Sequence, residues 1–275
     1  MKIRQRQSGL TLTEMTVVIA VVALLVGISM PAARILRNSF ESESGTASMI
    51  SSALASARAI AAKEQRYAGI RFQKRLDPNN PNPINAPQYI IFIIQDPEIM
   101  AYGFRAVDGI QPIKLPDSVG VMDLMYHPNL FTPSGDGIAD TDTEFANSGV
   151  ISDTTTFSII FSPSGKLVIH NVRVRNRNGE GDYASYTNFS MDDIFNKKAK
   201  VDAGLAMFYQ DDYFGDNIYL NIGLGPEPSR NGFVIYETKI FNQTNINLRW
   251  TDYLSRLALK PVYINPYTGT IVSNQ

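Results

Sequence analysis

Glu14 is the only charged residue between residues 10 and 30, a run that is otherwise largely apolar. A carboxylate in such a run costs about 2.5–3.5 kcal/mol at the centre of a bilayer, and it needs a partner. If the chain is cut between Gly9 and Leu10, the new α-amine of Leu10 comes four residues before Glu14 on the same helix face. The two charges could then neutralise each other, within one chain or between neighbouring chains. This spacing makes Gly9, Leu10 and Glu14 a candidate processing and ion-pairing site.

A second group of acids lies at residues 136–144, where four carboxylates fall within nine residues beside Gly137. Oxygen ligands at two-residue spacing suit Ca²⁺, although their order differs from that of an EF-hand. The alternative is a solvated acidic loop, so Ca²⁺ is one hypothesis here and no other cofactor or firm metal site is predicted. The candidate ligands are Asp136, Asp140, Asp142 and Glu144.

Arg173, Arg175 and Arg177 alternate along the chain, so on a strand they would share one face. A basic stripe of this kind could bind the phosphate backbone of DNA. Against this, residues 1–9 hold three of the 25 basic residues and none of the 26 acids, so a chain cut after Gly9 would carry a net charge of -4. A solvated face or a contact with a neighbouring subunit is the alternative.

Signals for an enzyme are absent from the sequence. It has no G-x-S-x-G or Walker A motif and no cysteine, and its two histidines are His127 and His170. His170 falls in an alternating strand pattern, which favours a structural histidine. The sequence therefore predicts a non-enzymatic protein.

The N-terminal segment has the charge pattern of a membrane-spanning helix. Residues 1–9 contain Lys2, Arg4 and Arg6 and no acid, and residues 10–30 as a helix would be about 31 Å long, close to one hydrocarbon thickness. The basic residues should stay in the cytoplasm, so the rest of the chain is exported. An ordinary secretory signal is the alternative, but only Gly27-Ile28-Ser29 fits its cleavage site.

The stretch Ser8–Glu14, followed by the apolar run and Pro31, resembles the signal of type IV pilins and type II secretion pseudopilins. The resemblance implies that a prepilin peptidase cuts after Gly9, on the cytoplasmic side, and methylates Leu10. It also implies that Glu14 pairs with the N-terminus of a neighbouring subunit during assembly.

The apolar pattern continues at helical spacing beyond the membrane segment. It predicts a helix from about Leu12 to Gln65 that is kinked near Pro31, or alternatively two helices with a linker at residues 41–46. The predicted organisation is a cleaved leader (1–9), a transmembrane and assembly helix (10–30), a continuation that packs on the domain (31–66) and a β-rich domain with insertions (67–275).

Nine β-branched and aromatic runs after the helix predict strands. Pro163-Ser164-Gly165 predicts a hairpin between two of them, and Trp250–Leu259 predicts a short helix capped near Thr251 or Asp252. The fold class is therefore α+β, with a long N-terminal helix on a mainly antiparallel sheet. The predicted strands are Tyr67–Phe72, Tyr89–Gln95, Phe104–Val107, Val119–Tyr126, Thr156–Phe161, Leu167–Val174, Ile218–Ile222, Phe233–Phe241 and Pro261–Ile264.

The alanine-rich helix that runs into Phe72, with the late Phe161-Ser162-Pro163-Ser164-Gly165 hairpin, looks like the GspH/FimT-like branch of minor pseudopilins. The resemblance implies a structural subunit of a type II secretion pseudopilus or a type IV pilus. It would be anchored in the bacterial inner membrane by one helix, with a periplasmic C-terminal domain. Its partners would be prepilin peptidase, other pilin or pseudopilin subunits and the secretion or pilus machinery. The alternatives are a minor pilin that binds DNA for uptake and a signal-anchored exported enzyme.

Overall fold

The computed structural model describes residues 43–74, 84, 86–96, 102–107, 109–126, 135–172 and 227–273, together with residues 15–19 and 21, which are helical. Helix α1 spans Glu43–Glu64. It ends where Gln65 adopts a left-handed backbone with φ of 53°, a common helix stop. The predicted end at Gln65 is correct to within one residue. Residues 43–46 are helical, so this part of the alternative linker belongs to α1.

One face of α1 packs against the strands. Ile50, Ala53, Leu54, Ala57 and Ala61 recur at steps of three and four residues, and all five are buried in one core. Because three of them are alanines, the helix axis can lie close to the strands beneath it. The alanines of this face thus bury the helix against the sheet.

The chain forms twelve short or medium strands in three antiparallel sheets within the described ranges. The first sheet has the order β3-β2-β1-β6-β7, with β4 also paired to β2, and the second has the order β12-β11-β10-β5. A two-stranded ribbon joins β8 and β9. The strands are β1 (Ala68–Lys74), β2 (Gln88–Gln95), β3 (Phe104–Ala106), β4 (Ile113–Lys114), β5 (Val119–Met122), β6 (Phe157–Phe161), β7 (Leu167–Val168), β8 (Asn171–Val172), β9 (Glu227–Pro228), β10 (Gly232–Glu237), β11 (Val262–Ile264) and β12 (Ile271–Ser273).

Both faces of the first sheet are buried. On the side of α1, Ile70 lies opposite Phe92 and Ile159 in the antiparallel register. On the other side, Ile91 and Ile93 belong to a separate apolar cluster. A strand that is covered on both faces is apolar throughout rather than alternating, which explains the continuous apolar run of β2.

The second sheet joins the helix core to a second group of helices. Val121 and Ile235 face the α1 core, whereas Met122, Val234 and Tyr236 face a cluster formed with short helices. These are α2 (Asp142–Ala146), α3 (Ser148–Thr154), α4 (Thr238–Gln243), a 3₁₀ turn (Ile246–Leu248), a π turn (Trp250–Leu254) and α5 (Ser255–Ala258).

Two predicted strands are too long at their C-terminal ends. The run Phe233–Phe241 is wrong beyond Glu237, because Thr238–Gln243 forms α4 and buries Phe241 with its ring centroid 5.2 Å from that of Tyr236. The run Val119–Tyr126 leaves the sheet after Met122, since the Asp123 amide donates to the Thr154 carbonyl and Leu124 has φ of 61°.

The remaining predicted elements agree in part. Leu167–Val174 divides into β7 and β8, with residues 173 and 174 outside the described part of the chain. The predicted helix at Trp250–Leu259 exists but begins earlier, at the 3₁₀ turn capped by Asn245. The predicted strand Ile218–Ile222 also lies outside the described residues. Helices α2 and α3 and strands β4, β9 and β12 were not predicted.

Candidate functional site

Gly9, Leu10, Glu14 and Pro31 lie outside the described residues, but the helical turn that follows Glu14 is described. The apolar side chains of Met15, Val17, Val18, Ile19 and Val21 are all more than half exposed. Five consecutive residues cover more than one helical turn, so exposure of residues 15–19 means that the folded domain covers no face of this turn. An apolar turn exposed all round requires an apolar environment outside its own domain.

No helix in the described part of the chain combines the length and the apolar character needed to cross a membrane.

The Phe161–Gly165 hairpin, which carries the branch resemblance, is held against α1 by Arg58. Gly165 has φ of +74° and closes a tight turn, in which its amide donates to the Ser162 carbonyl at 2.8 Å. The Arg58 Nε donates to the Gly165 carbonyl at 2.8 Å, and its Nη1 donates to the Thr268 carbonyl at 2.8 Å. One guanidinium therefore ties the helix to the 163–165 turn and to the turn between β11 and β12.

Replacing Arg58 with Ala should lower the free energy of unfolding by about 2 kcal/mol, because two charge-assisted hydrogen bonds to carbonyls are lost in a half-buried setting. Arg58→Lys should recover only part of this loss, because an ammonium lacks the rigid fork that reaches both carbonyls. Urea unfolding followed by the fluorescence of Trp250, the only tryptophan, measures the change. Arg66→Ala is the matched control, since Arg66 is exposed just after the helix. Equal losses for both alanine variants would contradict the role of Arg58.

The acidic segment at residues 136–144 caps the start of α2, and through Asp142 it also caps the distant turn that begins at Trp250. Glu144 accepts hydrogen bonds from the Tyr126 hydroxyl at 2.7 Å and from the Thr141 amide at 3.0 Å, as part of a capping box with Thr141. Asp142 accepts from the amides of Trp250 and Thr251, and the Thr251 hydroxyl donates to it at 2.6 Å. The Thr251 hydroxyl, followed by these amides, holds the pKa of Asp142 below its usual range.

The other two predicted calcium ligands also make local contacts. Asp136 accepts from the amide of Ile138 within its own turn, and Asp140 donates its backbone amide to Glu144. Among the residues that the structure describes, no group of three or more His, Cys, Asp or Glu side chains could hold a metal ion. Calcium ordering of this segment stays a prediction. The sequence signal that was missed is the Thr141-x-x-Glu144 pattern, which marks the start of α2.

His170 lies between β7 and β8, with its ring among aromatic side chains. Its ring centroid is 4.2 Å from that of Tyr67 and 5.7 Å from that of Phe104. Its Nδ1 lies 2.6 Å from the Asn171 carbonyl oxygen. These contacts agree with the prediction of a structural histidine. His127 and Arg173, Arg175 and Arg177 lie outside the described residues.

Two buried ion pairs, which sequence reasoning missed, hold the segment that enters β10. The fully buried Arg71 of β1 donates to Glu227 at 2.7 Å, to Ser158 at 2.9 Å and to Gln73 at 3.0 Å. Arg230 donates to Asp123 at 2.6 Å. Burial raises the pKa of Asp123 to about 6, against the opposing effect of Arg230. The pairs connect β1, β6 and the end of β5 to the segment 227–230.

Comparison with known proteins finds one match. Residues 4–30 match the prokaryotic N-terminal methylation motif. No curated protein and no solved structure matches the chain. The matched residues include Gly9, Leu10 and Glu14 and extend through the exposed apolar turn. Residues 4–30 therefore carry a prepilin-type signal, which implies export of the chain and processing by prepilin peptidase.

Proposed function

We propose that the chain is a non-enzymatic structural subunit of a type II secretion pseudopilus or a type IV pilus. The observation that carries this proposal is the apolar helical turn at residues 15–19, which follows the processing signal and is exposed on every side. Such a turn is stable in a bilayer or among the helices of neighbouring subunits. The proposed role as a filament subunit therefore rests on the apolar turn at residues 15–19, which the folded domain does not cover.

The proposed mechanism separates the two halves of the chain. The N-terminal apolar segment anchors the subunit in the inner membrane and later packs among other subunits. Helix α1 then attaches the folded domain to this segment through its buried alanine face. The surface of the sheets contacts other subunits or cargo outside the cytoplasm.

The finer assignment to the GspH/FimT-like branch rests on the junction of α1 with the Phe161–Gly165 hairpin. Arg58 and the tight turn at Gly165 support it, because they give the hairpin a defined place on the helix. The two-sheet arrangement and the short helices at residues 142–154 and 238–258 extend beyond the features that carry the resemblance.

Replacing Glu14 with Gln should leave processing intact and strongly reduce incorporation into filaments. The amide keeps the size of the side chain but cannot offset the charge of the Leu10 amine on a neighbouring subunit. Glu14→Leu should give the same assembly defect while holding the chain in the membrane at least as well, because it removes the cost of burying a carboxylate.

The readouts are the intact mass of the processed chain and its amount in sheared filament fractions. Glu64→Gln is the matched control, because it changes the same side chain in the exposed last turn of α1. Normal incorporation of both Glu14 variants would refute the pairing mechanism. Loss of processing in either variant would show that the peptidase needs Glu14 to recognise the chain.

A further inference from the structure

Helix α4 and the 3₁₀ turn that follows it carry three aliphatic side chains on the outside of the domain. Ile240, Leu248 and Ile246 are 40 %, 41 % and 45 % exposed, respectively. Phe241, in the same segment, is buried in the cluster between the second sheet and the short helices. The segment therefore places apolar side chains both in the core and outside it. We call the outer group, Ile240, Ile246 and Leu248, the 240–248 face.

The 240–248 face lies toward the end of the domain at which α1 begins. Strand β1 follows α1 after a short turn and shares its core, so β1 runs back along the helix and ends at Lys74. Lys74 and Thr238, the first residue of α4, line one pocket, which places α4 at this end. The chain returns to the sheet at the opposite end, where Val262 of β11 pairs with Phe233 at the start of β10.

The beginning of α1 is also the point at which the domain joins its apolar N-terminal segment. The exposed turn at residues 15–19 of that segment requires an apolar environment outside the domain. A domain that is tethered to a bilayer meets it at a high effective concentration, so even a weak contact forms. The bilayer is thus an apolar partner that the anchored chain meets before any other subunit.

The polar residues of the segment suit the boundary between lipid head groups and acyl chains. Residues 238–251 contain no acid, and Lys239 is an exposed cation among them. Such a boundary accepts aliphatic and amide side chains, and anionic lipids attract a lysine. Asp142 contacts this segment, but its carboxylate is bonded to the amides of Trp250 and Thr251. The exposed amide side chains of the segment are Asn242, Gln243, Asn245 and Asn247.

We propose that the 240–248 face docks on the lipid bilayer in which the chain is anchored. Its three aliphatic side chains enter the head-group boundary, and Lys239 lies among the lipid phosphates. The inference rests on the proposed anchoring by the N-terminal segment and adds a second contact, which holds the domain on the membrane surface. Incorporation of the subunit into a filament then breaks this contact.

Trp250 can report the docking, because it is the only tryptophan and follows Leu248 by two residues. The test is reconstitution of the full-length chain in vesicles of phosphatidylcholine and phosphatidylglycerol with brominated acyl chains, since bromine quenches tryptophan fluorescence only at short range. Trp250 should lose most of the fluorescence that it shows in unbrominated vesicles. Unquenched fluorescence in a chain that floats with the vesicles would overturn the docking alone. A chain that does not float with them would overturn the anchoring as well.

Two glutamate variants test whether the 240–248 face makes the contact. Leu248→Glu should lower the ratio of docked to free domains at least about tenfold and restore the fluorescence, because a carboxylate replaces an apolar side chain at the lipid boundary. Leu259→Glu is the matched control and should leave the quenching unchanged, because Leu259 is 81 % exposed at the opposite end, near β11. Unaltered quenching in Leu248→Glu, or equal effects of both variants, would overturn the proposal.

A third variant separates a lipid partner from a protein partner. Lys239→Gln should weaken docking about fivefold in vesicles that contain phosphatidylglycerol and should have no effect in phosphatidylcholine alone. An equal loss in both lipids would overturn the role of Lys239. If Trp250 of the unmodified chain is unquenched and Leu248→Glu prevents incorporation into filaments, the 240–248 face contacts a neighbouring subunit and the bilayer proposal is wrong.

Discussion

Replacement of Gly9 with Ile is expected to leave essentially the whole population of the chain uncut. A glycine before the scissile bond lets the backbone approach the peptidase closely because it has no Cβ, and the branched side chain of isoleucine removes that space. Residues 4–30 carry the methylation motif, and the cut that we propose falls between Gly9 and Leu10. Without the cut, Leu10 has no α-amine and Glu14 has no partner, so assembly should fail together with processing.

The measurement is the intact mass of the chain after co-expression with prepilin peptidase. The unmodified chain should lose residues 1–9 and gain one methyl group, whereas the Gly9→Ile chain should keep Met1 or Lys2 at its N-terminus. Gly27→Val is the matched control, because it changes a glycine within the apolar run and destroys the small-residue pattern of an ordinary secretory signal. Normal shortening of the Gly9→Ile chain, or retention of the leader in the Gly27→Val chain alone, would disprove the assigned cut.

Replacement of Glu227 with Gln is expected to lower the free energy of unfolding by about 3–5 kcal/mol, the usual cost of leaving one buried charge without its opposite. Arg71 has no exposed surface, and the Glu227 carboxylate lies 2.7 Å from its Nη1. Glutamine keeps the volume and one carbonyl acceptor but removes the negative charge. The guanidinium then stays buried in the sheet without the negative charge of Glu227.

Urea unfolding followed by Trp250 fluorescence measures this effect. Two further variants show whether the loss of stability comes from the unpaired buried charge. Glu64→Gln changes the same side chain in an exposed pair with Lys63, 3.2 Å apart, and should cost less than about 0.5 kcal/mol. The double variant Arg71→Met with Glu227→Leu should recover most of the stability, because two apolar side chains leave no buried charge. A double variant as unstable as Glu227→Gln would show that the ion pair itself, rather than the unpaired charge, determines the loss.

Much of the described fold follows from periodicity. The C-terminal end of helix α1 and the strands β1, β2, β3, β6 and β11 agree with their predicted positions to within about two residues. The prediction worked there because each segment repeats its apolar residues over several turns or strand positions. The hairpin at Pro163-Ser164-Gly165 was also predictable, since its glycine supplies the positive φ that the turn needs.

The errors arise where distant contacts decide between two local structures. The segment after Glu237 has apolar residues that fit a strand, but burial of Phe241 beside Tyr236 places it in a helix. The first residues of the π turn are capped by Asp142, which is far away in the sequence. A pattern of neighbouring residues cannot reveal a partner supplied by another segment.

The sequence by itself determined the processing signal and the helix that carries the domain. Both are linear features: a peptidase reads adjacent residues in an extended chain, and a helix face depends only on spacing along its axis. The tertiary structure alone decided the roles of Arg58 and Arg71. A charge in the sequence does not reveal whether it will be solvated or buried, and only the folded chain shows that Arg58 holds α1 against two turns and that Arg71 forms a buried ion pair.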